Sequence, residues 1–182
     1  METNMNIRFI KKIIGSAITA TIIIHTAIAN AANLDDGAIL AIYNQVNTFD
    51  IETAGLGLRC GQSAQVTKLA KMVQTDHTGV RQMAVDLANK MNVPRSLPAG
   101  RAAAAADHAK ALGKLMEQCG KDFDRAYLAH EIAFHKAAID AVNTVLIPSA
   151  KNAELVALMK KILPGFEHHL AETRRVAREL GY

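Results

Sequence analysis

Ionisable residues occupy the apolar faces of four predicted helices, where a helical bundle normally buries hydrocarbon. When each helix is turned by about 100° per residue, at least one potential metal ligand points inward from every helix. These residues are Asp50, His77, Glu131, His135 and His169. A lone histidine on such a face is usually a hydrogen-bonded core residue, whereas an unpaired buried charge costs several kcal/mol. Together the five predict either a self-neutralising polar network or the ligands of one cation.

Other polar residues flank this candidate set. Tyr127 shares one helical row with two of the candidate ligands, at spacings of four and eight residues. Asp76 and His130 lie at the edges of their apolar faces, and we expect them to surround the ligands. His108 is expected to be solvated on a connection between helices, and His168 to face outward.

Four long stretches carry apolar residues at spacings of three and four, which is typical of amphipathic helices. They cover roughly residues 36–60, 63–92, 121–147 and 151–180. Tryptophan is absent and alanine is abundant, and no stretch predicts a strand. At about 1.5 Å of rise per residue, the five candidate ligands reach similar depths in a bundle of these helices.

The connection between the second and third long helices determines the predicted topology. It begins with Pro94 and Pro98 and continues as a shorter, alanine-rich helix from Ala102 to Glu117. A connection of this length can travel the full height of a bundle, so the helices that it joins are expected to run parallel. The predicted fold is therefore all-α: a ferritin-like four-helix bundle with a helical crossover between the second and third long helices.

The two cysteines fit this topology. Cys60 ends the first long helix and Cys119 precedes the third. A crossover brings these positions to the same end of the bundle, whereas a plain up-down bundle would place them at opposite ends. Because cysteines of exported proteins are usually paired, we predict a disulfide between Cys60 and Cys119. The alternative is two buried free thiols.

The first 31 residues are typical of a secretory signal, with a basic start, an apolar run and a small-x-small cleavage site. These parts are Arg8, Lys11 and Lys12, then residues 13–29, then Ala29-Asn30-Ala31. Cleavage would leave residues 32–182 as one periplasmic domain without a transmembrane helix. The alternative is a retained inner-membrane anchor with the domain facing the periplasm.

Charge argues against a nucleic-acid partner. The chain has 21 Lys and Arg against 17 Asp and Glu. Removing residues 1–31 takes away three basic residues and one acidic residue, which leaves 18 against 16. A net charge of +2 on the remaining domain provides no basic surface of the kind that nucleic-acid binding requires.

Three blocks in order resemble the bacterial domain-of-unknown-function family 4142. They are Met72-Val73-Gln74-Thr75-Asp76-His77-Thr78, Phe123-Asp124-Arg125-Ala126-Tyr127-Leu128 with His135 eight residues after Tyr127, and Leu163-Pro164 followed by His169-Leu170. The resemblance covers about residues 36–180. It implies a ferritin-like domain that follows a signal peptide. The family pattern picks out Asp50, His77, Tyr127, His135 and His169, and Asp124 joins the residues expected to surround the ligands.

The resemblance does not imply that this protein has di-iron chemistry. Ferritin-like di-iron proteins use Glu-x-x-His on two helices, and this chain contains no such motif. The leading hypothesis is therefore a periplasmic domain that binds a transition metal, Fe, Zn, Cu or Ni. The first alternative is a non-catalytic structural or stress-related module whose buried cluster is a polar network. The second alternative is an enzyme that uses the site for redox chemistry.

Overall fold

The computed structural model describes residues 34–93, 98–120 and 122–182, which form five helices of 17 or more residues, two short helical segments and no strand. The helices are α1 (Asp36–Cys60), α2 (Ala64–Met91), α3 (Arg101–Glu117), α4 (Phe123–Ala141) and α5 (Ala153–Glu179). After α4 the chain continues through a π-helical turn at Val142–Leu146 and a short helix at Ile147–Ser149. The all-helical prediction is confirmed. The predicted signal at residues 1–31 and Pro94 lie outside the described residues.

Polar side chains start three of the long helices by accepting hydrogen bonds from otherwise unpaired backbone N–H groups. Asp35 accepts from Ala38 at the start of α1, over 2.7 Å. Ser63 accepts from Val66 at the start of α2. Asn152 accepts from the first turn of α5. None of the helices in the described part of the chain is long and apolar enough to cross a membrane.

Contacts at the two ends of the molecule give the directions of the helices. At one end, the carboxylate of Asp36 accepts a hydrogen bond from the backbone of Lys151, so α1 and α5 both begin there. At the other end, the Asp124 carboxylate accepts from the backbone N–H groups of Gln62 and Ser63, both over 2.8 Å. Therefore α2 and α4 begin together and run in the same direction.

Helix α3 returns the chain along α1 to the end where α4 begins. Its first residue, Arg101, accepts a hydrogen bond from the side chain of Gln45, and farther along His108 contacts Glu52. A disulfide joins Cys60 to Cys119 beyond the end of α3, with 5.1 Å between the two Cα atoms. The predicted pairing is confirmed, and neither cysteine is a free thiol.

The hydrocarbon core is divided into two main parts along the length of the helices. The part near the disulfide includes Val66, Val73, Phe123 and Tyr127. The part near the opposite end includes Ile39, Tyr43, Val80, Leu155 and Phe166. On each long helix, the inward ionisable residues lie between these two sets in sequence. The fold therefore holds a layer of polar side chains at mid-height between two apolar layers.

Candidate metal centre

All five predicted ligands are buried. Asp50, His77, Glu131, His135 and His169 are each at most 2% exposed. The three imidazoles form one set whose ligand atoms lie within 4.8 Å of one another, and Asp50, Glu131 and His135 form a second such set. The helical periodicity therefore identified side chains that α1, α2, α4 and α5 bring together from distant parts of the sequence.

The closest contacts in the group join one carboxylate oxygen of Asp50 and one ring nitrogen of each histidine. Asp50 Oδ2 lies 2.9 Å from His77 Nε2 and 3.3 Å from His135 Nε2. His77 Nε2 in turn lies 3.2 Å from His169 Nδ1. These atoms therefore form a compact group in which each has a neighbour at 2.9–3.3 Å.

The other nitrogen of each imidazole points away from the group and contacts a hydrogen-bond acceptor. His77 Nδ1 is 2.9 Å from the side-chain oxygen of Asn47. His169 Nε2 is 2.9 Å from Asp76 Oδ2, and His135 Nδ1 is 3.1 Å from the backbone oxygen of Glu131. Because a carbonyl or carboxylate oxygen only accepts, each outer nitrogen carries the proton. A neutral ring held in this orientation presents the lone pair of its inner nitrogen to the group.

The orientation of the Asn47 amide is set by a second contact. Its Nδ2 donates to the backbone oxygen of Tyr43 over 2.7 Å, which leaves Oδ1 to face His77. The sequence analysis did not identify Asn47 as a functional residue. The helical spacing could have identified it, because Asn47 lies one turn before Asp50 on the same apolar face of α1. Histidine ligands of metals typically have such an acceptor behind them.

The spacing of the inner atoms fits a metal coordination shell. Bonds of about 2.0–2.1 Å separate ligand atoms by about 3.3 Å at a tetrahedral ion and by about 2.9 Å where two bonds meet at right angles. The distances of 2.9–3.3 Å around Asp50 Oδ2 and His77 Nε2 fall in this range. Both Asp50 oxygens and His135 Nε2 lack a hydrogen-bond partner within the described part of the chain. The residues present therefore suit a transition-metal ion.

Burial and neighbouring charges set the protonation of the group. Burial lowers the pKa of His135 to about 4, and burial likewise lowers the pKa of His169. Burial acts to raise the pKa of Asp50, but the nearby imidazoles of His77 and His135 outweigh it, and this pKa lies below its ordinary value. Burial, reinforced by the charge of Asp50, raises the pKa of Glu131 well above its ordinary value. Ionisation is therefore favoured at Asp50 and disfavoured at Glu131.

The structure places the four predicted surrounding residues differently. Asp76 accepts from His169, as described above, and Tyr127 is fully buried with its hydroxyl near Glu131. His130 is buried on the side of α4 that faces α3. Asp124 does not surround the ligands as expected. It binds the backbone where α2 begins, because its position on the first turn of α4 brings it to the end of the molecule.

Comparison with known proteins agrees with the resemblance seen in the sequence. Residues 24–176 match the model of a family described as a domain of unknown function, DUF4142. No curated protein and no solved structure matches the chain. The matched segment spans most of the sequence and includes all five candidate ligands. The chain therefore belongs to the DUF4142 family.

Proposed function

We propose that this protein is an exported, ferritin-like helical bundle that binds one transition-metal ion between its four long helices. The observation that carries the proposal is the convergence of three imidazole nitrogens near the carboxylate of Asp50, each on a ring whose other nitrogen contacts an acceptor. Lone pairs at such distances repel one another unless a cation or a proton lies between them. Burial keeps the pKa values of His135 and His169 below their ordinary value, and the pKa of Asp50 is also lowered, so the group offers an ionisable carboxylate and imidazole nitrogens to a cation.

The ligand types indicate which ions the centre would take. Imidazole nitrogens with a carboxylate suit Zn²⁺, Cu²⁺, Ni²⁺ and Fe²⁺, whereas Ca²⁺ and Mg²⁺ prefer oxygen ligands. His77, His135, His169 and Asp50 would hold the ion, and Glu131 would hold Asp50 or add a fifth ligand. Storage, sensing or protection suits this site better than catalysis, because all five side chains are buried away from a substrate.

Two features support the export and ferritin-like parts of the proposal. The Cys60–Cys119 disulfide is typical of an oxidising compartment such as the periplasm. The parallel directions of α2 and α4, with α3 between them in sequence, are those of a one-crossover bundle. Mass spectrometry of the periplasmic fraction should find an N-terminus at Ala32, or at Asn30 if the upstream site Ala27-Ile28-Ala29 is cleaved. Full-length protein retained in the membrane would instead support the anchor.

The competing function is a structural module without a metal. In that case a proton lies between His77 and His169, so one of the two rings is an imidazolium, and the carboxylate of Asp50 pairs with it. The short contact between Asp50 and His77 is compatible with this pairing. The two functions differ in one measurable respect, because a structural module has the same stability in the presence and absence of a chelator.

Adjacent histidines on α5 offer a matched test. His169 is buried in the centre, whereas His168 is exposed. Protein purified from the periplasm without a histidine tag should contain about one equivalent of metal, and His169→Ala should lose it while His168→Ala retains it. Chelation should lower the melting temperature of the wild type, since an ion that binds the native state stabilises it by mass action. Metal-free wild-type protein with an unchanged melting curve would contradict the proposal.

A further inference from the structure

A second pair of buried imidazoles lies beside the candidate metal centre, where α3 packs against α1 and α4. His108 of α3 is 3% exposed and His130 of α4 is 2% exposed. The burial of His108 corrects the sequence-based expectation that it is solvated. Its alanine-rich helix packs closely on α1, so that the imidazole is covered although the helix has few large apolar residues.

His108 links this pair to the surface. Its Nε2 lies 2.9 Å from Oε2 of Glu52, whose side chain is 50% exposed. The ring of Phe49 stacks on the imidazole, with 4.1 Å between centroids and 15° between planes. His108 Nδ1 has no hydrogen-bond partner in the part of the chain that the structure describes. One end of this side chain therefore meets a solvated carboxylate, while the other nitrogen is buried and unpartnered.

His130 links the pair to the interior. Neither of its ring nitrogens has a hydrogen-bond partner among the described residues. An unpaired polar group in the interior is destabilising, so both nitrogens would gain a favourable contact from a bound cation. The ring of His130 lies 6.0 Å, between centroids, from that of Phe134, which belongs to the same apolar cluster as Phe49. His108 stacks on Phe49 from one side of this cluster, and His130 directly precedes Glu131 of the centre. His130 is therefore positioned between the surface residues and the centre.

We infer that Glu52, His108 and His130 form a lateral site for a divalent transition-metal cation, through which the ion reaches the buried centre. This inference rests on the proposed function. The carboxylate and the imidazole nitrogens are the donor types that the ions proposed for the centre accept. These three residues do not converge within 4.8 Å as the ligands of the centre do. The lateral site therefore binds the ion more weakly, as passage toward a tighter site requires.

The test measures how fast metal-free protein takes up Co²⁺, followed by the visible absorption of the bound ion after rapid mixing. His108→Phe keeps an aromatic ring against Phe49 but removes both nitrogens. It should slow uptake about tenfold, because the entering ion loses an imidazole ligand of the lateral site. Glu52→Gln keeps an acceptor for His108 and removes the charge, and should also slow uptake. The amount of Co²⁺ bound at equilibrium should be unchanged in both variants.

His168→Phe provides the control, because it removes an exposed imidazole elsewhere on the surface. It should take up Co²⁺ at the wild-type rate. Wild-type rates in both His108→Phe and Glu52→Gln would overturn the inference while leaving the buried centre intact. Wild-type protein that binds no Co²⁺ would instead overturn the proposed function together with this inference. Should His108→Phe fail to fold, the half-exposed position of Glu52 makes Glu52→Gln the deciding variant.

Discussion

His77 Nε2 and His169 Nδ1 lie 3.2 Å apart at the middle of the molecule, although 92 positions separate the two residues in sequence. Each ring has its other nitrogen against an acceptor, Asn47 for His77 and Asp76 for His169. Neither ring can therefore turn its proton toward the other without losing a hydrogen bond. The contact needs either an additional proton, which makes one ring cationic, or a metal ion.

The hydrogen bond from His77 to Asn47 should influence metal affinity. Asn47→Leu removes the acceptor that fixes the ring and its tautomer, so the affinity should fall by about 10–100-fold, as is typical when a partner of a metal ligand is removed. Asn44→Leu is the control, since Asn44 lies on the same helix and its side chain binds the exposed Arg81. Competition with a chromophoric chelator measures both affinities. Equal affinities for the wild type and Asn47→Leu would show that the hydrogen bond to His77 does not influence metal binding.

The buried imidazoles should make the metal-free fold sensitive to acid. The pKa of His130 is lowered by burial from 6.5 to about 4, so between these values the unfolded chain binds a proton that the folded chain does not. Its contribution to stability is therefore complete above about pH 6.5 and is lost as the pH falls toward 4. The slope for one such residue is about 1.4 kcal/mol per pH unit.

The substitution His130→Phe separates the contribution of His130 to this pH dependence from the contributions of the other titrating groups. Urea unfolding of the wild type and the variant should be compared from pH 7 to pH 4 in the presence of a chelator. The free energy of unfolding of the variant should decline less steeply, by up to the slope of one histidine. Parallel curves would mean that His130 binds a proton in the folded state as readily as in the unfolded chain.

The sequence predicted the parts of the structure that depend on periodicity and chain length. Spacings of three and four place Glu131 and His135 on the buried face of α4, and the length of the connection before Phe123 places Cys119 beside Cys60. The position of Asp124 was not predictable in this way. It depends on how the turn at Gln62 meets the start of α4, which is a tertiary contact without a sequence period.

Burial of His108 escaped prediction for a related reason. The apolar side chains of α3 are mostly alanines, so its buried face has a weak pattern, and Ala104 and His108 differ little from their exposed neighbours in sequence. The close packing of α3 on α1 is what buries the imidazole against Phe49. In a helix made mostly of small residues, the sequence pattern therefore does not predict which polar side chains are buried.

The disulfide should stabilise the fold through the unfolded chain. It closes a loop with a sequence separation of 59 residues, for which the chain-entropy relation gives about 4 kcal/mol. Reduction, or the double substitution of Cys60 and Cys119 by serine, should lower the free energy of unfolding by about 2–4 kcal/mol. Metal content should not change, because the bridge lies at the end of the molecule and the ligands at its middle. Loss of metal on reduction would show that the disulfide also orders the centre.

Two glycines of α1 should respond in opposite directions to the same substitution. A Cβ atom at Gly57 would lie 2.7 Å from Cβ of Ala70 and 2.8 Å from Cζ of Tyr127, so the close approach of α2 and the position of that ring both require glycine. Gly57→Ala should therefore destabilise the protein by about 1–3 kcal/mol, the usual cost of overpacking.

Gly55 supplies the matched comparison, because its Cβ would meet Nε2 of Gln74 at an ordinary 3.7 Å. There the better helix propensity of alanine is not opposed, and Gly55→Ala should stabilise the fold by up to about 1 kcal/mol. Chemical unfolding of both variants measures the difference. If Gly57→Ala were as stable as Gly55→Ala, α1 and α2 would have room to separate.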